Sequence, residues 1–255
     1  MKKFLFPAAY LIPAASLALS AGLTPYALAQ EERAISISYE EGQLITLAAP
    51  INRAGEEAAS ARVEYFQRVR PIADGLGLSQ DGALAVTETL VGQFHPGALS
   101  FFSWPSAEAE GQLSAHPDWL DIKALRPIAW DALRLYSVEL DQDLDLTFEE
   151  GKAYSMAVAW INPEHPESYD RYLDTLEPSL HAIGARFIYR MQGPRFESHS
   201  DTGPAPARLT LVEWQTGEDL TAFLEGDAFT AVYPDLQQGV TRFELHRIAP
   251  VFPEG

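Results

Sequence analysis

The chain of 255 residues contains no cysteine. Disulfide bonds and thiolate metal sites are therefore excluded, and the folded state depends on its hydrophobic core. Basic residues are also scarce, since 18 lysines and arginines stand against 36 aspartates and glutamates, for a net charge of −18. Because nucleic acids and anionic membrane surfaces repel such a protein, we expect neither as a partner.

Sequence motifs for metals and nucleotides are missing as well. No two histidines have the spacing His-x-His or His-x-x-x-His, and the sequence has no glycine-rich phosphate-binding loop and no nucleophile elbow. We therefore expect no metal site and no cofactor.

A long apolar run occurs at the start of the chain and nowhere later. Two lysines precede it, it extends from Phe4 to about Leu19, and residues 27–29 form the small-x-small sequence Ala-Leu-Ala. This pattern is typical of a secretory signal peptide, here residues 1–29, with cleavage after Ala29. Two prolines interrupt the run, which argues against an uncleaved membrane anchor. We expect a periplasmic or secreted protein without stable membrane insertion.

Landmarks in the rest of the sequence recur after about 110 residues. Three pairs share this spacing: Ile51 with Ile161, Trp104 with Trp214, and Leu135 with Leu245. Shared spacing of this kind indicates an internal duplication. We place a first half at 42–140, an acidic linker at 141–151 and a second half at 152–250.

Hydrophobic periodicity predicts the order β-α-β-β-α-β in both halves. The first half has predicted strands at 44–51, 84–91, 98–104 and 133–140, with helices at 54–74 and 107–129. The second half has predicted strands at 154–161, 186–192, 208–214 and 240–248, with helices at 166–183 and 216–238. The second of these helices is predicted to break near Gly226. This is the ferredoxin-like order, in which the helices cover one face of an antiparallel sheet. We therefore expect an α+β fold in which the two halves pack sheet to sheet within a monomer, as an internal pseudo-dimer.

Three segments of the second half carry a family resemblance: Gly184-Ala-Arg-Phe-Ile-Tyr-Arg190, Arg208-Leu-Thr-Leu-Val-Glu-Trp214, and residues 218–229. They resemble the domain of unknown function 1330 in the dimeric α+β barrel superfamily. The resemblance implies that two such units form one barrel, here within one polypeptide. The superfamily includes cofactor-independent monooxygenases, haem-dependent chlorite dismutases and dye peroxidases, lactone isomerases and polysaccharide lyases. In the first half the corresponding sequence Gly75-Leu-Gly-Leu lacks the arginine that follows Gly184-Ala in the second half. The resemblance therefore does not imply equivalent sites in both halves.

Strand parity predicts which side chains face the barrel interior. If Phe243 and Leu245 face the helices, the alternate residues of their strand face inward, and the matching strand of the first half behaves likewise. The inward set is Arg134, Tyr136, Arg186, Arg190, Arg242, Glu244 and His246. Because guanidinium groups bind carboxylate or phosphate oxygens, this set predicts a small anionic ligand in the barrel. Alternatively, the arginines pair with Glu213, Glu244 and Glu88, or the parity is wrong by one residue.

His246 and Tyr136 are the candidate acid–base pair, because the shared spacing places them on equivalent strands. Histidine exchanges protons near neutral pH. A structural histidine is the alternative. Trp214, at the end of a strand, is a candidate ligand contact, with a place in the core or at the rim as the alternative.

Two functions agree with these features. The first is a barrel that binds a small anionic or aromatic ligand. The second is an enzyme of the same fold, either a cofactor-independent monooxygenase or a lyase acting on an acidic saccharide, that uses His246 and Tyr136 with arginines to hold the substrate.

Overall fold

The computed structural model describes residues 33–252, so the predicted signal peptide lies outside the described residues. The first half consists of β2 (Leu44–Asn52), α1 (Glu56–Gly75), β3 (Ser79–Val91), β4 (Ala98–Trp104), α2 (Ala107–Ser114), α3 (Trp119–Lys123), α4 (Arg126–Ala129) and β5 (Trp130–Glu139). The predicted helical region 107–129 is thus three short helices, and a proline interrupts the chain near the start of each of the last two.

The second half has the same order, with one additional short strand and with two helices in place of three before its last strand. It consists of β7 (Ala153–Ile161), α5 (Pro166–Ala182), β8 (Arg186–Gln192), β9 (Arg195–Ser198), β10 (Arg208–Trp214), α6 (Gly217–Glu225), α7 (Asp227–Gly239) and β11 (Val240–Pro250). Helix α6 begins with a capping box in which the Thr216 side chain accepts from the Asp219 backbone N–H and Asp219 accepts from that of Thr216. The predicted break at Gly226 separates α6 from α7.

Nine strands form one sheet in the order β8-β10-β7-β11-β3-β4-β2-β5-β9. Four consecutive strands of this order belong to each half, in the ferredoxin-like arrangement, and the long strand β3 joins the halves by pairing antiparallel with β11. At the other end β9 of the second half pairs with β5 of the first. Only Gly193 and Pro194 separate β8 from β9, so the chain itself connects the two edges of the sheet.

The inner face of this sheet is filled by one hydrophobic cluster to which both halves contribute, including Leu47, Phe101, Val158 and Leu211. A ribbon of two antiparallel strands, β1 (Ala34–Tyr39) and β6 (Leu144–Glu149), adds Phe148 and neighbouring apolar side chains to it. Helices pack on the outer face of each half over a separate cluster. The acidic segment 141–151 therefore contains a strand, and β1, β6 and β9 are strands that periodicity did not predict. In the described part of the chain, no helix is long and apolar enough to span a membrane.

Candidate functional site

Four charged side chains form a network between the two halves. Arg134 of β5 donates from Nη1 to Glu244 Oε2 of β11 at 2.8 Å and from Nη2 to Asp201 Oδ2 at 2.9 Å. Arg242 donates to Glu244 Oε1 at 2.6 Å and to Asp201 Oδ2 at 2.8 Å. Arg134 and Glu244 are only 4% and 1% exposed. The network thus joins two guanidinium groups to two carboxylates, and its charges balance.

The carboxylates of this network stay ionised because of their neighbours. Burial opposes ionisation of Glu244, but the His246 imidazole at 3.9 Å and the guanidinium groups of Arg134 and Arg242 outweigh it, so its pKa lies below the ordinary value. Burial also opposes ionisation of Asp201, yet hydrogen bonds from Arg242 and the backbone N–H of Gly203 lower its pKa. The Arg134 guanidinium additionally lies 3.7 Å from the centre of the Phe94 ring.

Tyr136 and His246 lie beside this network and are both fully buried. Burial raises the pKa of Tyr136 to about 12, although Arg134 nearby opposes this. Nδ1 of His246 is 3.1 Å from the Thr89 hydroxyl, whereas neither Nε2 of His246 nor the Tyr136 hydroxyl has a hydrogen-bond partner among the described residues. The structure thus brings together five of the predicted inward residues: Arg134, Tyr136, Arg242, Glu244 and His246. A role for Tyr136 and His246 as an acid–base pair stays a prediction.

The predicted cationic interior is corrected by these contacts. The arginines pair internally with carboxylates, and the hydrophobic cluster fills the inner face of the sheet. A cleft of about 510 Å³ reaches the network from outside, with Phe94, Asp201 and Arg242 in its wall. Since the charges already balance, nothing in the network calls for an anion.

The remaining predicted ligand contacts lie elsewhere. Strand β8 has an irregularity at Ile188, where Leu211 pairs with Tyr189 and Val212 with Phe187. An extra residue shifts the parity of one part of a strand against the other. Arg186 therefore pairs with Glu213 and is about half exposed, whereas Arg190 lies on the helix side and bonds Glu177 of α5. Trp214 is also on the helix side, where its indole N–H donates to Ser155.

A cavity of about 500 Å³ separates the sheet of the first half from its helices. Aromatic side chains from both layers form much of its wall: Tyr65, Phe66, Phe102, Trp104, Trp119, Trp130 and Phe196. Two hydroxyl groups on the sheet, those of Thr46 and Ser137, lie 2.9 Å apart in the same wall. This cavity was not predicted from the sequence.

A buried cation stands at the α4 side of the cavity. Arg126 is 6% exposed, donates to the Tyr65 hydroxyl oxygen from Nε at 3.2 Å and from Nη2 at 3.0 Å, and donates to Glu197 at 2.8 Å. The Trp119 ring lies 5.0 Å from its guanidinium carbon. Burial opposes ionisation of Glu197, but Arg126 and Lys123 outweigh it and lower its pKa. Two cations thus share one carboxylate, which β9 of the second half supplies.

The two hydrogen bonds from Arg126 fix the orientation of the Tyr65 hydroxyl group. A phenolic oxygen has one hydrogen and two lone pairs. Because the two guanidinium N–H groups use its lone pairs, the hydrogen of Tyr65 remains available to a ligand in the cavity. The first half therefore offers a hydrogen-bond donor beside a positive charge, surrounded by aromatic rings.

Side chains fill most of the corresponding space in the second half, where the open volume is only about 40 Å³. Helices α1 and α5 end in the same way, because Ala73 O accepts from the N–H groups of residues 76 and 78, and Leu180 O from those of 183 and 185. This match aligns Ala73 with Leu180, Val69 with Leu176, and Tyr65 with Tyr172. Prolines 71 and 178 also coincide. The first half therefore has smaller side chains where the second half has leucines, and the two matching prolines were the signal for this alignment in the sequence.

Comparison with known proteins shows the fold. No family model and no curated protein matches the chain. An anthrone oxidase-like protein superposes with a TM-score of 0.56 at 15% identity, covering 85% of this chain and 94% of its own. A mutant chlorite dismutase from Candidatus Nitrospira defluvii gives 0.39 at 12% identity over 83% and 93%. A protein of unknown function from Rhodopseudomonas palustris gives 0.34 at 20% identity over 43% and 85%. The first of these superpositions, together with the strand order, shows that the chain has the dimeric α+β barrel fold, with both halves in one polypeptide.

Proposed function

We propose that the protein binds a small aromatic molecule carrying an oxygen or anionic group, and that it does so in the cavity of the first half. The observation that carries this proposal is the space of about 500 Å³ around the buried Tyr65–Arg126 pair. Ligand pockets typically measure about 300–1,000 Å³ and combine apolar walls with a few convergent polar groups. The proposed ligand thus lies in the space beneath the helices of the first half and not in the barrel interior, where the sequence predicted it.

The walls of the cavity favour a flat apolar ligand. Trp104 and Trp130 supply ring surfaces from the sheet, and Trp119 supplies one from α3. Aromatic rings gain from offset or edge-on contact with other rings. Interiors of proteins are otherwise close-packed, so an open volume of this size fits a molecule that fills it.

Polar groups at the α4 side favour an oxygen or an anion. Lys123 and Arg126 share the carboxylate of Glu197, which leaves one positive charge in excess. The Tyr65 hydroxyl adds a donor next to it. A phenolic, carbonyl or carboxylate oxygen of the ligand satisfies both groups.

Tryptophan fluorescence tests the proposal, because three of the five tryptophans line the cavity. We expect hydroxylated polycyclic aromatics and 1-anilinonaphthalene-8-sulfonate to quench it saturably. The Ala73→Leu variant, which copies the second half, should lose this binding. Ser60→Leu, an equal apolar addition on the exposed face of α1, should keep it. Binding that survives Ala73→Leu unchanged would place the ligand elsewhere.

A cofactor-independent oxygenase is the second candidate, favoured by the Tyr65–Arg126 pair. The pair has the arrangement needed to stabilise an enolate oxygen when a polycyclic aromatic ketone loses a proton from a methylene group that is conjugated with the carbonyl through the rings. Molecular oxygen then oxidises the methylene to a carbonyl, with one oxygen atom entering the product and the other leaving as water with the two hydrogens. The anthrone oxidase-like protein of the same fold agrees with this candidate.

Oxygen uptake with an anthrone as substrate tests this second candidate. We expect Tyr65→Phe to lower the rate about 100-fold, the usual cost of one donor to a developing oxyanion. Tyr172→Phe, the matching change in the second half, should have no effect. Quenching by the anthrone without oxygen uptake would leave the protein a binding protein.

We also propose that the protein is exported, that its two halves arose by duplication and that it is a monomer. The Ala-Leu-Ala sequence at 27–29 supports cleavage after Ala29 and a periplasmic or secreted location, and N-terminal sequencing of the product tests it. The equal strand order of the two halves supports their origin from a duplicated unit like the domain of unknown function 1330. Because each half covers the sheet of the other, we expect a monomer by light scattering.

A further inference from the structure

A groove of about 670 Å³ runs along the outer side of α1, and its lining consists of Ala59, Arg62, Val63, Phe66, Gln67, Arg70 and Pro71. Three of these residues, Arg62, Phe66 and Arg70, also line the cavity of the first half. The groove and the cavity therefore share a wall.

Phe66 is the apolar part of that wall. Its side chain is 47% exposed, and its ring meets those of Tyr65 and Trp130 edge-on, with centroids 5.4 and 6.0 Å away. Both of these rings face the cavity. Because one side of the Phe66 ring is open to solvent, it can turn about its χ angles without displacing a buried side chain.

Arg62 and Arg70 flank Phe66, one helical turn to each side. Arg62 donates to the carbonyl groups of Arg53 and Ala129, and Arg70 donates to the side chain of Gln80. Within residues 33–252, neither guanidinium lies within 4.0 Å of a carboxylate, in contrast to Arg126 and the arginines of the network. The groove lining has no acidic residue, although the whole chain has a net charge of −18. The mouth of the cavity is therefore a local positive site on an acidic protein.

We infer that the ligand enters the cavity from this groove past Phe66, and that Arg62 and Arg70 hold a negative charge at the outer end of the ligand. The inference rests on the proposed binding function and narrows the ligand to an elongated aromatic acid. Its rings lie among the tryptophans, and its anionic group stays at the mouth. Attraction of anions to such a mouth raises the rate of association.

The second half has no such entrance. The alignment of the helix ends matches Arg62 with Tyr169, Phe66 with Leu173 and Arg70 with Glu177. Tyr169 and Leu173 are 1% and 8% exposed and belong to the core beneath the helices. Glu177 forms an ion pair with Arg190. Three substitutions on one helix thus distinguish a closed wall from an entrance.

Stopped-flow binding of 1-anilinonaphthalene-8-sulfonate, followed by energy transfer from the cavity tryptophans, tests the entrance. We expect Phe66→Ala to raise the association and dissociation rates together, at least about threefold, and Phe66→Trp to lower both. Tyr233→Ala is the matched control, because Tyr233 of α7 is 43% exposed, much like Phe66, and lines neither the groove nor the cavity. Its rates should equal those of the wild type.

Charge reversal tests the arginines. Arg70→Glu should lower the association rate about tenfold at low ionic strength, and this difference should vanish in 1 M salt, where screening acts over about 3 Å. Arg68→Glu makes the same change on the same helix but outside the groove and cavity, and it should have a much smaller effect.

The outcomes separate the entrance from the cavity. If Ala73→Leu abolishes probe binding but the Phe66 variants keep wild-type rates and Arg70→Glu behaves like Arg68→Glu, the entrance is refuted and the cavity stands. If Ala73→Leu leaves probe binding intact, the proposed function fails and the inference fails with it. Circular dichroism of Phe66→Ala establishes that the variant is folded.

Discussion

The two halves of this protein have the same strand order and helices that end alike, yet only the first half keeps an open space beneath its helices. Ala73 and Val69 stand where the second half has Leu180 and Leu176. The same arrangement of strands and helices can therefore enclose either a packed core or an open cavity at this place. A few side-chain volumes on one helix decide it.

The same comparison applies to the strands that meet across the barrel. Leu135 pairs with Ala48 and Leu245 pairs with Ala157, at equivalent places in the two halves. Arg134 therefore matches Glu244, and Tyr136 matches His246. In a symmetric dimer this position would meet the same residue of the partner, so the two charges would be alike. Here Arg134 of the first half meets Glu244 of the second, and the opposite charges are 2.8 Å apart. The charges favour pairing of the unlike halves over pairing of like ones.

Breaking the contact between the halves should have the largest effect. Arg134→Met leaves Glu244, which is 1% exposed, with Arg242 as its remaining partner. We expect a loss of about 3 kcal/mol in the free energy of unfolding by urea, at the low end for removing one partner of a buried ion pair. Arg53→Met, which removes an exposed pair with Asp131, should cost below about 1 kcal/mol. Equal costs for the two variants would contradict this assignment.

Opening the second half should come next. Leu180→Ala removes a side chain that is 1% exposed and packs in the cluster beneath α5. We expect a loss of about 2–3 kcal/mol, within the range for leucine-to-alanine changes in a core. Val69→Ala in the first half should cost less, because one side of Val69 already faces a cavity. Urea unfolding of both variants measures the difference, and the reverse order would argue against the comparison.

Filling the cavity of the first half should stabilise the protein, by less than the two preceding changes destabilise it. Ala73→Leu adds three carbon atoms beneath α1, where the cavity has room for them. We expect a gain of about 1–2 kcal/mol, below the full transfer free energy of the added groups because α1 has to adjust. The thermal midpoint checks the sign. A loss of stability would show that the cavity wall cannot accept the second half's side chain.

Acid should weaken the contact between the halves. Glu244 and Asp201 have pKa values below those of the unfolded chain, so they stabilise the fold at pH values above the unfolded pKa, about 4. This contribution is lost as the pH falls through the lower, folded pKa values. The free energy of unfolding should therefore differ between wild type and Arg134→Met at pH 7, and the difference should shrink at acid pH. A pH-independent difference would contradict the charge assignment.

Tyr136→Phe should have the smallest effect. The hydroxyl is buried and has no partner among the described residues, so its removal should change the free energy of unfolding by less than about 1 kcal/mol. Tyr65→Phe should cost more, because it deprives Arg126 of the oxygen that accepts two of its hydrogen bonds. Urea unfolding ranks the two variants. A large cost for Tyr136→Phe would indicate a partner for its hydroxyl in solution.

Much of the fold could be predicted from periodicity. The strands 98–104, 186–192 and 208–214 coincide with β4, β8 and β10, and the break at Gly226 falls between α6 and α7. The short strands β1, β6 and β9 could not be predicted, because each is defined by a partner at least 58 residues away rather than by its own pattern. The alternation of side chains along a strand correctly predicted that Arg134, Arg242 and Glu244 lie together. It failed for Arg190, because an irregularity in β8 reverses which side chains face inward beyond it.

By itself the sequence determined the two β-α-β-β-α-β units, because the periodicity of apolar residues decides which segments become helices and strands. It also contained the small residues of α1, at Ala73 and Val69. Only the tertiary structure decided that Arg134 and Arg242 pair with carboxylates and that the open space lies beneath the helices. Ion pairs and cavities depend on distances between segments that lie far apart along the chain. Local patterns record the preferences of each segment, but those distances arise only when the halves pack together.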